Sequence, residues 1–385
     1  MRVVFIGLSG YDHPYVRVRC HHFAGLLRER GVKTDVLSFK EAFSPRVADD
    51  GMLRLREGEK LAQTIRAAAR LLRERGSILY VQKAHWHAAA PFLLRRLGLN
   101  RLILDYDDWD LDRSPFFGSD GLNRLFFGAV GAVPITAAVA RRAHAVVASS
   151  APLRELMLRY NPATFLVPTG VDTERFRRSR PHAEGPVTAV WCGKVWGEVI
   201  YNNLRFCIDC VVDARRVRPA LRLVVAGDGA WMGRVEEYAR ERGGGGVDFA
   251  GWIPPDRMPE FLSGAQIGLL PLIPDAANSE WMRCKSPTKL FEYMAMEIPA
   301  VASRYGEAES IVEDGREGFL ASSRGEFARR LADLAGSPPL RREMGALARR
   351  RAEERYCHRV MGGALLEAVE FAAGRGDARP APDIP

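Results

Sequence analysis

The sequence predicts an α/β protein built from two doubly wound parallel-sheet domains. Three observations carry that prediction. Short apolar runs ending in glycine or in polar clusters, RVVFIG at 2–7 the first of them, alternate with helical patterns, as βαβ units require. The alternation runs twice, and the polar, proline-bearing stretch RRSRPHAEGP at 177–186 separates the two runs. Finally, 385 residues exceed what one ordinary core holds, so two domains are expected.

In chain order, strand 2–7 is followed by a helical pattern from Val16 to Arg30 and a strand at 33–39. Residues 57–75 set Leu61, Ile65, Ala68, Leu71 and Leu72 on one helical face, ringed by Arg66, Arg70, Arg73 and Arg75. Strands are expected at 78–82, 102–106 and 145–149, with helical stretches between. FLVPTGVDTERF ends another strand, turns at Pro168 and Gly170, and enters the linker. Strands then recur at 187–192, 221–226, 246–249, 266–270 and 299–303. Helices are expected at 200–217, 230–242, 286–296, 323–335, 338–355 and 358–373, and the polar tail should fray. The expected domains are 1–168 and 187–357, with a hinge at 169–186. No repeat of solenoid period is seen.

Hydrophobic residues at 47% and charged residues at 27% exclude a disordered or fibrous chain. No uncharged apolar run reaches the ~18–20 residues that span a bilayer, and the start reads as a strand rather than a signal peptide. Six cysteines make no disulfide framework, so a cytoplasmic setting is expected. Residues 1–170 hold 25 basic and 16 acidic residues, whereas 171–385 hold 31 of each, so the first domain carries the whole net charge of +9. A basic domain suits an anionic partner: a phosphorylated acceptor, an anionic membrane surface or nucleic acid. No nucleic-acid module is recognisable, so nucleic acid is not the expected partner. Only seven of the 56 basic residues are lysines: Lys33, Lys40, Lys60, Lys83, Lys194, Lys285 and Lys289. In so arginine-biased a chain, the lysines mark positions where a compact ammonium is needed.

RCKSPTKLFEYMAMEIPAVAS at 283–303 is the sharpest segment. Ser286-Pro287 reads as a helix start, a hydroxyl cap followed by proline at the first helical position. Leu290, Phe291, Met294 and Ala295 face inward. Lys285 and Lys289 flank a helix end that is already positive, an arrangement that makes sense if an anion such as a diphosphate sits there. Glu292, one turn on, is placed for sugar hydroxyls. The bland alternative is a solvated amphipathic helix.

These residues, with GEAESIVEDGREGFL, LVVAGDG at 223–229, VDFAGWIPPDRMPEFLSGAQIGLLPL at 247–272 and VPTGVDTERF, resemble the GT-B glycosyltransferases of family 4, glycosyl transferases group 1. The resemblance covers most of the chain and is strongest over 165–355. It implies two Rossmann-like domains facing a cleft, with the last helix and tail (358–385) returning to the first domain. It also implies a donor site of Gly193, Lys194, Gly227, Asp228, Gly229, Trp252, Ile253, Lys285, Ser286, Lys289, Leu290 and Glu292, with Glu292 as ribose ligand. The family marks this helix by two glutamates, and Cys284 occupies the first position. An arginine and a lysine five residues apart after the first strand of the second domain are also usual. Here Lys194 supplies the first charge, Val199 stands at the second, and Lys285 could compensate.

In the first domain, YVRVRCHHFAGLL places Arg17 and Arg19 after the first loop, where the family sets basic residues toward the cleft. ILYVQKAHWH brings His85 and His87, and LILDYDDWD brings Asp107 and Asp108, to the carboxyl ends of two strands, the ligand edge of an open parallel sheet. The four first-named residues are the acceptor-side candidates. Asp107 or Asp108 is the candidate to take the acceptor's proton. The cluster of Asp105, Asp107, Asp108, Asp110 and Asp112 either binds a cation or raises one carboxyl pKa; a solvated acidic loop is the bland alternative. Cys207 and Cys210 read as buried helical residues rather than a zinc site. The apolar stretch 116–142 fits either an interfacial membrane element or an interior helix.

The resemblance thus implies a hexosyl-type glycosyltransferase moving a sugar, with retention, from a UDP- or GDP-sugar to a cell-envelope glycan, glycolipid or lipopolysaccharide-type acceptor. Lys194, Lys285 and Lys289 would stabilise the leaving diphosphate without metal or other cofactor. A nucleotide-sugar 2-epimerase of the same fold, or a sugar-binding relic suggested by Cys284, are the alternatives. A cytoplasmic enzyme, peripheral at the inner membrane face, is the expected localisation.

Overall fold

The alternation read from the sequence becomes two six-stranded parallel sheets in a computed structural model that describes residues 1–109, 115–179, 186–242 and 245–375. The first unit comprises Met1–Thr169, Cys284–Ser286 and the segment from Arg359 onward; the second comprises Gly170–Arg283 and Pro287–His358.

The first sheet is formed by β1 (Arg2–Gly7), β2 (Lys33–Ser38), β3 (Ile78–Gln82), β4 (Arg101–Tyr106), β5 (Ala145–Ala148) and β6 (Thr164–Leu166). Its order is β2-β1-β3-β4-β5-β6. Period-two alternation splits each central strand between two cores. Val4, Ile6, Leu79, Val81, Leu102 and Leu104 pack on one face with Trp86 and Phe92. Val3, Phe5, Tyr80, Ile103 and Val147 pack on the other against Met361, Leu365, Ala368 and Val369. Those last four lie on the helix His358–Ala373, which therefore belongs to the first unit's core for nearly all its length. All strands run parallel, but the order in which the chain adds them reverses between β1 and β3, so the crevice at their carboxyl ends is the expected ligand position.

The second sheet is formed by β7 (Thr188–Cys192), β8 (Arg222–Ala226), β9 (Val247–Gly251), β10 (Ile267–Leu270), β11 (Ala300–Ser303) and β12 (Gly318–Ala321). Its order, β12-β11-β10-β7-β8-β9, places the switch point between β7 and β10.

Three expectations change. The helix expected over 16–30 begins at Pro14 and passes through a wider π turn over Arg17–His22. The apolar stretch 116–142 forms two helices, Asp120–Phe127 and Ala132–Arg142, parted by Gly128 at φ 72° and Gly131 at φ 88°. Phe126, Phe127, Ile135 and Val139 enter the core, so part of this stretch is interior, while Leu125 and Val133 stay exposed. The helix expected over 286–296 is Thr288–Ala295, shorter than expected: Pro287 has ψ 77°, outside the helical range, and serves as the cap through its carbonyl.

Candidate active site

In the second unit, three loops leave the carboxyl ends of β7, β8 and β9 and close on one another. Gly193 N–H donates to Ala226 O (2.9 Å), Val195 N–H to Asp228 O (2.7 Å) and Gly227 N–H to Gly251 O (2.7 Å). Glycine is required at two of these positions. A Cβ on Gly227 (φ 144°) would lie 1.7 Å from Gly193 O, and one on Gly229 (φ 132°) 2.3 Å from Val195 O.

Lys289 comes to this junction from the first turn of the helix Thr288–Ala295. Its Nζ is 3.2 Å from where a Cβ on Gly193 would stand and 5.1 Å from the Trp191 ring centroid. Burial holds the ammonium below its usual pKa, against the opposing pull of Cys192 and Glu292. Among the described residues Lys289 has no carboxylate within ion-pair distance. Burial, then the Glu292 charge, pushes the Cys192 thiol up to about 12. A half-buried cation at a positive helix end, beside glycine loops, is a place for an anion. Lys194, Asp228 and Trp252 lie exposed around it, and Ile253 lines a groove with Pro254, Arg257 and Phe261.

In the first unit, Asp107 follows β4 at the ligand edge of the sheet. Gln82 Nε2 donates to its Oδ1 (2.9 Å), and Ser149 Oγ donates to its main-chain oxygen (2.9 Å). Burial raises the Asp107 carboxyl to about 7; Lys83 opposes the rise, and Asp105 adds to it. Asp108 Oδ1 accepts from Trp109 N–H (3.0 Å), and its Oδ2 lies 3.9 Å from Lys83 Nζ. Lys83 is itself at φ 65°, a conformation uncommon for a residue with a side chain.

The second of these units matches a known family: residues 186–337 fit the family model of glycosyl transferases group 1. The match lies within the second unit and covers less than half of the chain. The fold of the whole chain is also that of solved GT-B glycosyltransferases. HepE from Anabaena, in complex with UDP-glucose, superposes with a TM-score of 0.68 at 15% identity, covering 95% of this chain and 98% of HepE. Sucrose-phosphate synthase from Thermosynechococcus elongatus gives 0.65 at 16% identity, covering 94% and 96%. The lipopolysaccharide outer core galactosyltransferase WaaB gives 0.60 at 14% identity, covering 97% and 98%. No curated protein matches the chain in sequence.

Within the GT-B fold, several residues named from the sequence stand elsewhere than expected. Arg19 is 1% exposed and does not face an open edge: its Nε and Nη2 bond the Asp105 carboxylate at 2.8 and 2.5 Å, and its Nη1 bonds Val167 O at 2.8 Å. A buried guanidinium needs such a full set of partners, so Arg19 is structural. Arg17, half-buried, bonds Asp12 O at 3.2 Å. His87 is interior, with Nε2 3.1 Å from Gln82 O and its ring against Phe39, and His85 is also buried. Leu290 points into the core and its N–H closes the turn on Pro287 O (2.9 Å), which leaves it without a ligand-facing group. Ser286 does not cap the helix; its Oγ is 3.4 Å from Thr169 Oγ1. Lys285 likewise precedes the helix, in a segment that groups with the first unit. Cys284 is buried there, its carbonyl accepting from Ser150 Oγ (2.7 Å). Asp110 and Asp112 lie outside the described residues. Among the described residues no group of three or more metal-ligating side chains forms.

Sequence reasoning missed three neighbours of Asp107: Gln82, Lys83 and Tyr15. The scarcity of lysine was the signal for Lys83; the other two had none. It also missed the edge-on pair of Trp281 and the exposed Trp196 (6.1 Å between centroids), which lies beside the loop of Lys194.

Proposed function

We propose that this chain is a glycosyltransferase that moves a hexosyl group, with retention, from a nucleotide-diphosphate sugar to a cell-envelope glycan or lipid-linked acceptor. The observation that carries the reading is Lys289: a half-buried, partly desolvated ammonium without an ion-pair partner among the described residues, between glycine-rich loops and at a helix N-terminus. A diphosphate supplies the charge it lacks, and the same contact strengthens as the leaving group gains charge in the transition state. Glu292, one turn on, takes the ribose hydroxyls. Lys194, exposed on the neighbouring loop, adds a second cation. UDP is the favoured base, since HepE is solved with UDP-glucose; GDP is the other candidate.

On the acceptor side, Asp107 orients the attacking hydroxyl and takes up its proton. A carboxyl poised near neutrality suits that task better than Asp108, which is tied to Lys83 and to the chain. The enzyme works at an anionic membrane surface, which the basic first unit is suited to meet.

Incubation with a panel of UDP-, GDP- and ADP-sugars, with and without membrane glycolipid extract, tests this reading. Acceptor-dependent release of nucleoside diphosphate is the expected result. Release without an acceptor, together with an epimerised sugar, would identify a 2-epimerase instead, and no release with any donor would leave a binding protein.

A further inference from the structure

We propose that Trp196 is a stacking platform for the hexosyl ring of the donor. The proposal rests on the donor site read above and adds to it a contact for the transferred sugar itself.

The chain has seven tryptophans, and four of them follow the carboxyl ends of strands in the second sheet: Trp196 after β7, Trp231 after β8, Trp252 after β9 and Trp281 after β10. An indole is large and mostly apolar, and it is usually well buried. Trp196 is nevertheless 55% exposed. Topology sets it apart from the others. β7 and β10 flank the switch point of this sheet, so the loops that carry Trp196 and Trp281 stand on the two sides of the crevice where a ligand is expected. The two rings meet edge to face, with centroids 6.1 Å apart and planes at 89°. Trp281, half-buried in the helix Ser279–Cys284, packs against both cores of the second unit and so holds its neighbour in place. Trp231 is already occupied: the Arg234 guanidinium lies 4.0 Å from its ring centroid, and the Tyr201 ring is 5.8 Å away. Trp252 follows β9, the edge strand, away from the switch point.

The main chain at Trp196 is set before any ligand arrives. Val195 is fully buried; its N–H donates to Asp228 O (2.7 Å), and its carbonyl accepts from Trp231 N–H (3.1 Å). The helix Glu198–Arg215 begins two residues after Trp196, and a Cβ on the intervening Gly197 would meet nothing within 4 Å. The indole thus borders open space, on a loop whose first residue, Gly193, lies against Lys289. An aromatic surface fixed in advance gives up little freedom on binding.

With the diphosphate on Lys289 and the ribose on Glu292, the hexosyl group is the part of the donor still without a seat. A pyranose carries C–H bonds on its faces and hydroxyls around its rim. The C–H bonds are weakly positive and suit the electron-rich face of an indole, as a cation does. The rim hydroxyls stay free to bond elsewhere.

Calorimetric titration of the full chain with UDP, GDP and their glucosyl, galactosyl and mannosyl conjugates tests the proposal. Trp196→Ala should weaken the tightest-bound conjugate roughly tenfold and leave the matching free diphosphate within about twofold. Trp196→Phe, which keeps a ring, should recover most of the loss. Quenching of indole fluorescence by the conjugate but not by the free diphosphate, present in the parent and lost in Trp196→Phe, gives the same answer should the alanine variant fail to fold. Equal losses for conjugate and free diphosphate would make Trp196 a nucleoside contact and overturn the proposal. No loss for either would overturn it as well. In both cases Lys289→Met separates the failures: if that variant loses both ligands, the donor site stands and Trp196 alone is excluded. A parent that binds none of these ligands sinks both.

Discussion

Arg19 and Asp105 meet fork to fork in the interior of the first unit, with neither side chain more than 2% exposed. The pair ties the turn after β1 to β4, and the third guanidinium bond, to Val167 O, reaches the chain just after β6. Removing one partner strands the other as a buried, uncompensated charge, at a cost of about 3–5 kcal/mol. Arg19→Leu should therefore lower the first unit's melting transition steeply in calorimetry. The double variant Arg19→Leu/Asp105→Leu should recover much of the loss. A single variant that melts like the parent would show that the pair holds nothing together.

Lys289 makes the opposite prediction. Burial lowers its pKa, so the folded state disfavours the charged form. For a lysine with a lowered folded pKa, the destabilisation is complete below the folded pKa and fades as pH passes the unfolded value. At neutral pH, Lys289→Met should thus raise the melting temperature of the ligand-free protein while weakening nucleoside diphosphate binding. Loss of a charge-assisted contact of about 2–3 kcal/mol corresponds to roughly 30–150-fold in affinity. Glu292→Ala should weaken binding without the gain in stability. Calorimetric titration with UDP and GDP checks both variants, and unchanged affinity in both would refute the donor site.

Asp107 should be visible in stability as well as in rate. Its carboxyl is raised from 3.8 to about 7. The folded state therefore holds a proton that the unfolded chain releases between those values. Stability falls as pH rises across that window, with the full cost present above it. Asp107→Asn removes this dependence, so its melting temperature should gain on the parent's as pH rises from 4 to 7. Turnover should fall about 100-fold or more, with nucleotide affinity within a few-fold of the parent. Equal pH dependence of melting in both proteins would show that Asp107 is ionised throughout.

Gly227→Ala tests the loop junction. A methyl group placed 1.7 Å from Gly193 O meets backbone and not a yielding side chain. The loops after β7 and β8 must part, and Lys289 loses its seat over Gly193. Donor binding should fall beyond detection in a thermal-shift assay while the first unit's melting is unchanged.

The parallel sheets were legible because buried strands read as apolar runs of β-branched residues between polar turns, and the order of helices and strands leaves few topologies. Strand β12 escaped notice because GFLA is short and sits inside a longer motif. That Gly193, Gly227, Gly229 and Lys289 would come together was legible, since glycines and lysines are sparse signals with local causes. Arg19 was misjudged because its partner is 86 residues away: an arginine after the first loop reads the same whether it meets a ligand or Asp105. Ser286-Pro287 misled for a related reason. The hydroxyl is engaged near Thr169 rather than on the helix it precedes, a contact that no local pattern encodes.

Membrane attachment is the last prediction. The first 170 residues carry the chain's whole net charge. The structure adds where that charge meets apolar surface. Leu97 (62% exposed) and Leu125 (63% exposed) are both open to solvent in this unit, and the Arg96 guanidinium bonds Leu125 O at 3.0 Å and Phe126 O at 3.1 Å. Arg95 bonds Arg142 O at 2.9 Å on the same group of helices, and Arg124 and Arg141 lie exposed beside them. Exposed leucines on helices that also carry exposed arginines are suited to the headgroup layer of an anionic bilayer, where each basic residue contributes on the order of 1 kcal/mol, screened by salt. The full chain should float with liposomes in proportion to their anionic lipid and detach as salt rises. Leu97→Ser with Leu125→Ser should cut binding at every salt concentration, because apolar insertion is not screened. Arg124→Glu should cut it mainly at low salt. Absence of binding to highly anionic liposomes at low salt would refute membrane attachment and turn the basic surface toward a phosphorylated or acidic acceptor in solution.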